Sequence, residues 1–345
     1  MKVRLVDVAR VAGVSKTTVS DALNGSGRLP EATREHVRKV ARSLGYRPNA
    51  TARLLRAGHT RLLGLAVREY VARPWVYTEL AYFAQLTTLC SREALSRGYG
   101  VVLLPNTGPD DCWLELPLDG VFIVDPVEGD PLVGDFLSAG IPVLSDRRAM
   151  TGTDGPWVDF DYGAATREVL DHLEAAGASR IAVIVGGTTA AFHQDSAQAC
   201  RDWSRERGAD LRLITVNEPG LRQTLAGVEA ALGGDEPPDA LVSLVEMSPP
   251  LLLDTLRRMG RSVPGDLLLV CSTEDLSAPY TDPPVTTLTY LPEETAQAGI
   301  ELLVDRIEGR GGSGRLLRAR LNVRASSGGR APRARLPEFS AGAEG

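Results

Sequence analysis

Val11-Ala12-Gly13-Val14-Ser15-Lys16-Thr17-Thr18-Val19-Ser20 decides the reading of this chain. Before it, Leu5, Val8, Ala9 and Ala12 follow the i, i+3, i+4, i+7 spacing of an apolar helical stripe, which predicts a first helix over about 5–12. Gly13 permits a turn, and Ser15 suits the N-cap of a second helix over about 16–23, because its hydroxyl can accept an orphan backbone N–H. That helix buries Val19, Ala22 and Leu23 and leaves Lys16, Thr17, Ser20 and Asp21 outside. Asn24-Gly25-Ser26-Gly27 stops it, and a third helix runs from about Pro30 to Leu44 with Val37, Val40, Ala41 and Leu44 inward. Two short helices about a glycine turn have the spacing of a helix-turn-helix, which sets its second helix into the major groove of DNA.

Three helices sharing one apolar seam also fit a generic bundle, and charge favours the DNA reading. Residues 1–60 hold 12 Lys and Arg against 4 Asp and Glu, a balance of +8. The remaining 285 residues hold 26 against 40, a balance of −14. Phosphate attracts the first segment and repels the second, a contrast that the net charge of −6 hides. Tyr46 to Gly58 is helix-capable between Pro48 and Gly58, but about nine residues make a helix only marginally stable alone. It fits a segment that folds against DNA and a partner copy, or a plain linker.

The body reads differently. Leu62 to Val67 is a continuous apolar run, as in a strand buried on both faces. Further candidate strands lie at 98–104, 120–124, 141–144, 181–185, 211–215, 240–244 and 267–270, many separated by helical segments. This alternation predicts parallel α/β sheets, and 345 residues suffice for two such units beyond the basic head. No signal peptide and no run of membrane-spanning length is visible, so a cytoplasmic protein is expected. Cys90, Cys112, Cys200 and Cys271 are scattered and form no C-x-x-C pair, which predicts buried thiols and neither a metal site nor a disulfide framework.

The segments Leu5-Val6-Asp7-Val8-Ala9, Val11 to Ser15, Thr18-Val19-Ser20, Leu23-Asn24, Thr33-Arg34, Leu44-Gly45-Tyr46 and Pro48-Asn49 resemble the DNA-binding head of the lac repressor family. Looser likenesses continue through Val158 to Asp161, His172-Leu173, Arg180-Ile181-Ala182, Pro238-Asp239-Ala240 and Pro283 to Leu288. The resemblance implies a small all-α helix-turn-helix head plus an α/β core of two Rossmann-like lobes, periplasmic-binding-protein-like, type I. It divides the chain into a DNA-binding domain at 1–48, a hinge helix and linker at 49–60, and an effector-binding and dimerisation core at 61–326. Lobe one is expected at about 61–160 and 290–311, lobe two at about 161–289 and 312–326, with Leu316 to Ser326 as the returning strand. A disordered tail is expected at 327–345.

The same resemblance implies a transcriptional regulator, a repressor, that binds a palindromic double-stranded operator as a homodimer. Lys16 and Thr17 then face base edges, while Thr18, Ser20, Asn24, Thr33 and Tyr46 donate to phosphates, which set register rather than sequence. Asn49, Ala52, Arg53 and Leu55 belong to the hinge, with Leu55 as the wedge in the minor groove and Ala52 as the small residue between paired helices. Asp21 stands where the family usually carries arginine. A carboxylate can only accept hydrogen bonds, so it either changes operator preference or holds a neighbouring arginine.

Between the lobes the family holds a small-molecule effector, usually a sugar or nucleobase. Asp161 matches the ligand-facing aspartate; Ala199 falls at a ligand-gripping arginine; Val245-Glu246 replaces an Asn-Asp pair; and Thr273, within Cys271-Ser272-Thr273-Glu274, replaces an aspartate. These departures make a sugar doubtful and favour a different, more apolar ligand or none. Trp75, Tyr77 and Trp203 are aromatic candidates for the pocket, though such residues more often serve the core. No metalloprotease, Walker, nucleophile-elbow or dinucleotide motif occurs, so neither catalysis nor a cofactor or metal is expected. A constitutive regulator with a vestigial pocket and a cytoplasmic solute-binding protein remain as alternatives.

Overall fold

The computed structural model describes residues 3–25, 27–46, 59–68, 76–104, 113–126, 129–146, 155–217, 221–233 and 236–328. The chain divides into two compact units, Met1–Leu62 with Leu116–Asp119, and Leu63–Glu115 with Gly120–Gly345.

In the first unit, helices α1 (Leu5–Ala12), α2 (Lys16–Asn24) and α3 (Glu31–Ser43) lie within about a residue of the predicted bounds. Gly13, at φ 68°, closes the turn by donating its N–H to the Ala9 carbonyl. The Ser15 hydroxyl accepts from the Thr18 N–H at 3.0 Å, the N-cap expected of it. Val8, Ala9, Ala12, Val19, Ala22, Val37 and Ala41 form the shared core. Each such apolar side chain contributes roughly 1–3 kcal/mol on full burial, modest in sum for so small a core. The Asp119 carboxylate receives the backbone N–H groups of Thr60 and Arg61 at 2.7 and 2.9 Å.

The second unit carries two large sheets and a short two-stranded one. Strands β1 (Leu62–Val67), β2 (Gly100–Leu103), β3 (Gly120–Val124) and β4 (Val143–Ser145) make the first, in the order β2-β1-β3-β4. Helices α4 (Val76–Glu79), α5 (Ala81–Ser96) and α6 (Pro131–Ser138) lie between these strands in sequence. Strand β5 (Val158–Phe160) leads into α7 (Tyr162–Ala175), β6 (Arg180–Gly186), α8 (Ala191–Arg207), β7 (Asp210–Val216), α9 (Leu221–Leu232), β8 (Ala240–Ser243), α10 (Pro249–Arg258), β9 (Leu268–Ser272) and β10 (Thr286–Thr289). Helix α11 (Pro292–Ile307), β11 (Arg315–Leu317) and β12 (Arg320–Asn322) follow.

The second sheet has the order β12-β10-β9-β8-β6-β7 and is parallel except for the β10–β12 pair. Strands β1, β3, β8 and β9 are buried almost throughout, which is why they read as unbroken apolar runs. Helix α11 returns to the first lobe, where Ile300 and Leu303 join a core with Phe122 and Leu144.

Two features depart from the sequence reading. Leu316 to Ser326 is not one strand: β11 pairs in parallel with β5, and β12 pairs antiparallel with β10 in another sheet, so the chain must break at Arg318-Ala319. Ser327, assigned to a disordered tail, is fully buried, and its hydroxyl lies 2.6 Å from that of Thr286 and 2.8 Å from Nε2 of His172. Ser327 therefore belongs to the core of the second lobe rather than to a tail. Cys90, Cys200 and Cys271 are buried free thiols. Among the described residues no helix is long and apolar enough to cross a membrane.

Candidate DNA-binding head and ligand cleft

Lys16 and Thr17 are exposed on the first turn of α2. Thr18 is half-buried, its hydroxyl 2.9 Å from that of Ser15. Ser20 is buried and accepts from the Asn24 side chain at 3.2 Å, so its hydroxyl serves the helix rather than an outer face. Asn24 is exposed; Thr33 and Tyr46 are half-buried, and Tyr46 packs against the head core. Asp21 turns toward the loop that leads to α3, where a Cβ on Gly27 would lie 2.9 Å from Oδ2. Arg34 reaches the same loop, donating to the carbonyls of Asp21 at 3.4 Å and Gly27 at 2.6 Å. Asn49, Ala52, Arg53 and Leu55, like Trp75 and the 329–345 tail, lie outside the described residues.

A cleft opens within the second unit, lined from both sheets. Each lining side chain comes from the carboxyl end of a strand or the first turn of a helix, the place where open α/β sheets leave a crevice. Tyr82 and Phe83 open α5, Asp125 and Asp146 follow β3 and β4, and Tyr162 opens α7. Phe192 and His193 open α8, while Glu246, Thr273, Glu274 and Tyr290 follow β8, β9 and β10. Two backbone positions at this crevice, Asp125 at φ 51° and Leu291 at φ 47°, occupy the left-handed region that non-glycine residues avoid.

Of the expected effector residues, Glu246 and Thr273 meet here. The Thr273 hydroxyl donates to Glu246 at 3.4 Å, and the Tyr82 N–H points at both Glu246 oxygens at 3.2 Å. Asp161 stands apart: exposed, it caps α7 by accepting the Ala164 N–H at 2.8 Å and lines a separate groove with Arg167 and Arg318. Ala199 is buried within α8, away from the lining. Trp203 and Tyr77 are core residues; the Trp203 indole donates to Asp171 at 2.7 Å, and the Tyr77 hydroxyl bonds backbone groups.

The missed residues are Glu274 and the aromatic wall. Glu274 accepts the Thr289 hydroxyl at 2.6 Å and the Tyr290 N–H at 2.9 Å. Burial lifts its carboxyl to about 7, against those hydrogen bonds and with help from the Glu246 charge. Burial also raises Glu246, against the N–H and hydroxyl groups that it accepts. Tyr162, Phe192 and Tyr290 pack ring against ring, with centroids 5.2–5.5 Å apart. The Gly186 N–H donates to His193 Nδ1 at 3.2 Å, which leaves Nε2 to carry the ring proton.

Residues 4–49 match the model of the bacterial regulatory proteins of the lacI family, and residues 170–327 match that of a periplasmic binding protein-like domain. The transcriptional regulator RafR of Escherichia coli is 30% identical over 247 residues, covering 70% of this chain and 72% of RafR. PtxS of Pseudomonas plecoglossicida is 30% identical over 346 residues, covering 94% of this chain and 96% of PtxS. The chain belongs to the lacI family. Accordingly it is a DNA-binding transcriptional regulator, and its relatives are regulators rather than enzymes. The lac repressor dimer bound to operator and the anti-inducer ONPF shares its fold, with a TM-score of 0.74 at 21% identity over 95% of this chain and 99% of that one. The regulator CelR in complex with cellobiose aligns with a TM-score of 0.61 at 25% identity, covering 94% of this lacI-family chain and 100% of that one.

Proposed function

We propose that this lacI-family regulator represses transcription in the bacterial cytoplasm as a homodimer on a palindromic operator, and that a small molecule in the cleft between the lobes sets its affinity. The observation that carries the reading is the first turn of α2, which presents Lys16 and Thr17 on a head held rigid by its own core. Those two side chains read bases in the major groove, while Thr18, Asn24, Thr33 and Tyr46 fix register on the phosphates. Residues 49–57 pair in the minor groove with Leu55 as the wedge. A ligand that prefers one arrangement of the lobes changes how the two hinges present Leu55, and so shifts the population that holds DNA. The lined cleft supports a ligand-responsive protein over a constitutive one.

A selection from randomised duplex DNA with the full chain tests this. The expected product is a palindrome bound with steep salt dependence. Leu55→Ala should lose affinity for that palindrome while keeping its weak binding to unrelated duplex. Equal loss on both would remove the hinge from the account, and failure to retard any duplex at low salt would remove the function.

A further inference from the structure

We propose that the cleft takes a small organic cation, its ammonium seated on Glu246 and Glu274, its carbon frame against Tyr82, Phe83, Tyr162 and Phe192, and a polar substituent on the Tyr290 hydroxyl. This deepens the regulator reading and rests on the cleft being its effector site.

Glu246 and Glu274 approach each other from the ends of β8 and β9, and every partner of either carboxylate among the described residues is neutral. Those partners are hydroxyls and backbone N–H groups. Asp125 and Asp146 line the same space, and among the described residues no lysine or arginine does. An anionic ligand would meet repulsion, whereas a cation supplies the charge that two buried carboxylates favour. Burial raises both carboxyls, and a cation seated between them would offset the cost of holding their charge there.

Rings line the same cleft as the acids, and aromatic faces attract cations more strongly where water is excluded. A neutral polyol could donate to the same acids but would bring them no charge, and the residue at the expected gripping arginine is the apolar Ala199, buried away from the lining.

Tyr290 is 8% exposed, lines the cleft, and its hydroxyl has no hydrogen-bond partner among the described residues. A buried hydroxyl without a partner is uncommon in folded proteins and is costly to keep. A ligand acceptor or donor would satisfy it.

The test uses the full chain and matched pairs that differ in an amine against a hydroxyl: 1,4-diaminobutane with 1,4-butanediol, tyramine with tyrosol, and glucosamine with glucose. Titration calorimetry and thermal shift at pH 7.5 should show at least one amine binding at least about tenfold tighter than its neutral twin. Binding should also release protons, seen as a heat that varies with buffer ionisation enthalpy. The double substitution Glu246→Gln with Glu274→Gln should abolish the preference, and Tyr290→Phe, which keeps every ring in place, should weaken the amine several-fold. Equal or tighter binding of the neutral twins overturns the proposal. So does failure of every amine in a wider panel of primary amines, or a preference that survives the double substitution. Retardation of the selected operator by the same preparation separates the two readings. If DNA is bound and amines are not preferred, only the cation falls; if DNA is not bound, the regulator reading itself falls.

Discussion

Glu246, beyond the end of β8 in the second lobe, accepts the backbone N–H of Tyr82 on the first turn of α5 in the first lobe, 3.2 Å from each carboxylate oxygen. A helix start leaves its first N–H groups without internal partners, and here the cap comes from across the cleft. The Ala81 N–H adds to it, and the negative charge suits the positive end of the helix. Gln85 makes a second strut, donating to the Glu274 carbonyl at 2.5 Å.

Loss of that cap should loosen the cleft as well as the helix. Glu246→Ala is expected to lower stability by about 1–2 kcal/mol, the range for losing an N-cap together with its dipole contact. Small-angle scattering should show a more open distribution of lobe arrangements. Glu246→Gln keeps an acceptor and should recover most of the stability. An alanine variant with an unchanged melting temperature and unchanged scattering would mean that the strut does not hold the lobes.

Glu274 makes stability depend on pH in the direction opposite to most paired carboxylates. Its folded pKa, about 7, lies above the ordinary 4.5, chiefly through burial. The native state therefore holds the proton more tightly than the unfolded chain. The contribution is fully present below about pH 4.5 and is lost as pH rises through about 7, amounting to about 3 kcal/mol across that window. Glu246 shifts in the same direction; Asp125, Asp146, His193, Tyr82, Tyr162 and Tyr290 are the other titratable groups lining the cleft, and the Glu294 charge also acts on Glu274. Melting temperatures between pH 5 and 8 should fall more steeply for the parent chain than for Glu274→Gln. Parallel curves would remove Glu274 as the source.

The fold was legible where burial is two-sided. Leu62 to Val67 and Gly120 to Val124 announce strands because both faces of the sheet are covered, so every position is apolar. The break after Leu317 was not legible, because it depends on β5 and β10, far off in sequence, each claiming one half of the segment. At the cleft, Glu246 and Thr273, which the family resemblance marked, are among the lining residues. Asp161 shows the competing physics: a helix start has an immediate use for a carboxylate, and the Ala164 N–H takes it. Tyr82, Phe192 and Tyr290 carry no periodic signature, since each comes from a different strand end or first helical turn and only the topology brings them together.

The Asp21 side chain turns to the loop before α3, a placement that favours holding the head over reading DNA. Its side chain lies against Gly27, whose φ of 72° and close approach both disfavour a Cβ, and Arg34 ties the carbonyls of both residues together. Asp21→Asn should therefore leave the selected operator unchanged and lower the stability of the head by about 1 kcal/mol, and Gly27→Ala should cost at least as much. An altered base preference with unchanged stability would show the carboxylate working at the groove instead.

Tyr77 ties the carboxyl ends of two strands of the first lobe together with one hydroxyl. It accepts the Val67 N–H at 3.0 Å, at the last residue of β1, and lies 2.7 Å from the carbonyl of Leu104, just past β2, and 3.1 Å from that of Leu65. Burial lifts its pKa to about 12, so the proton that serves those carbonyls stays in place at any working pH. Tyr77→Phe preserves the ring and strands a buried N–H and a buried carbonyl, at a cost of about 1–3 kcal/mol. Because these groups lie in the first-lobe sheet, hydrogen exchange should quicken at Val67 and Leu104 and stay unchanged along β6 and β8 of the second sheet. Uniform acceleration across both sheets would mean that the two lobes unfold as one cooperative body, and the hydroxyl would then stabilise the whole core rather than its first half.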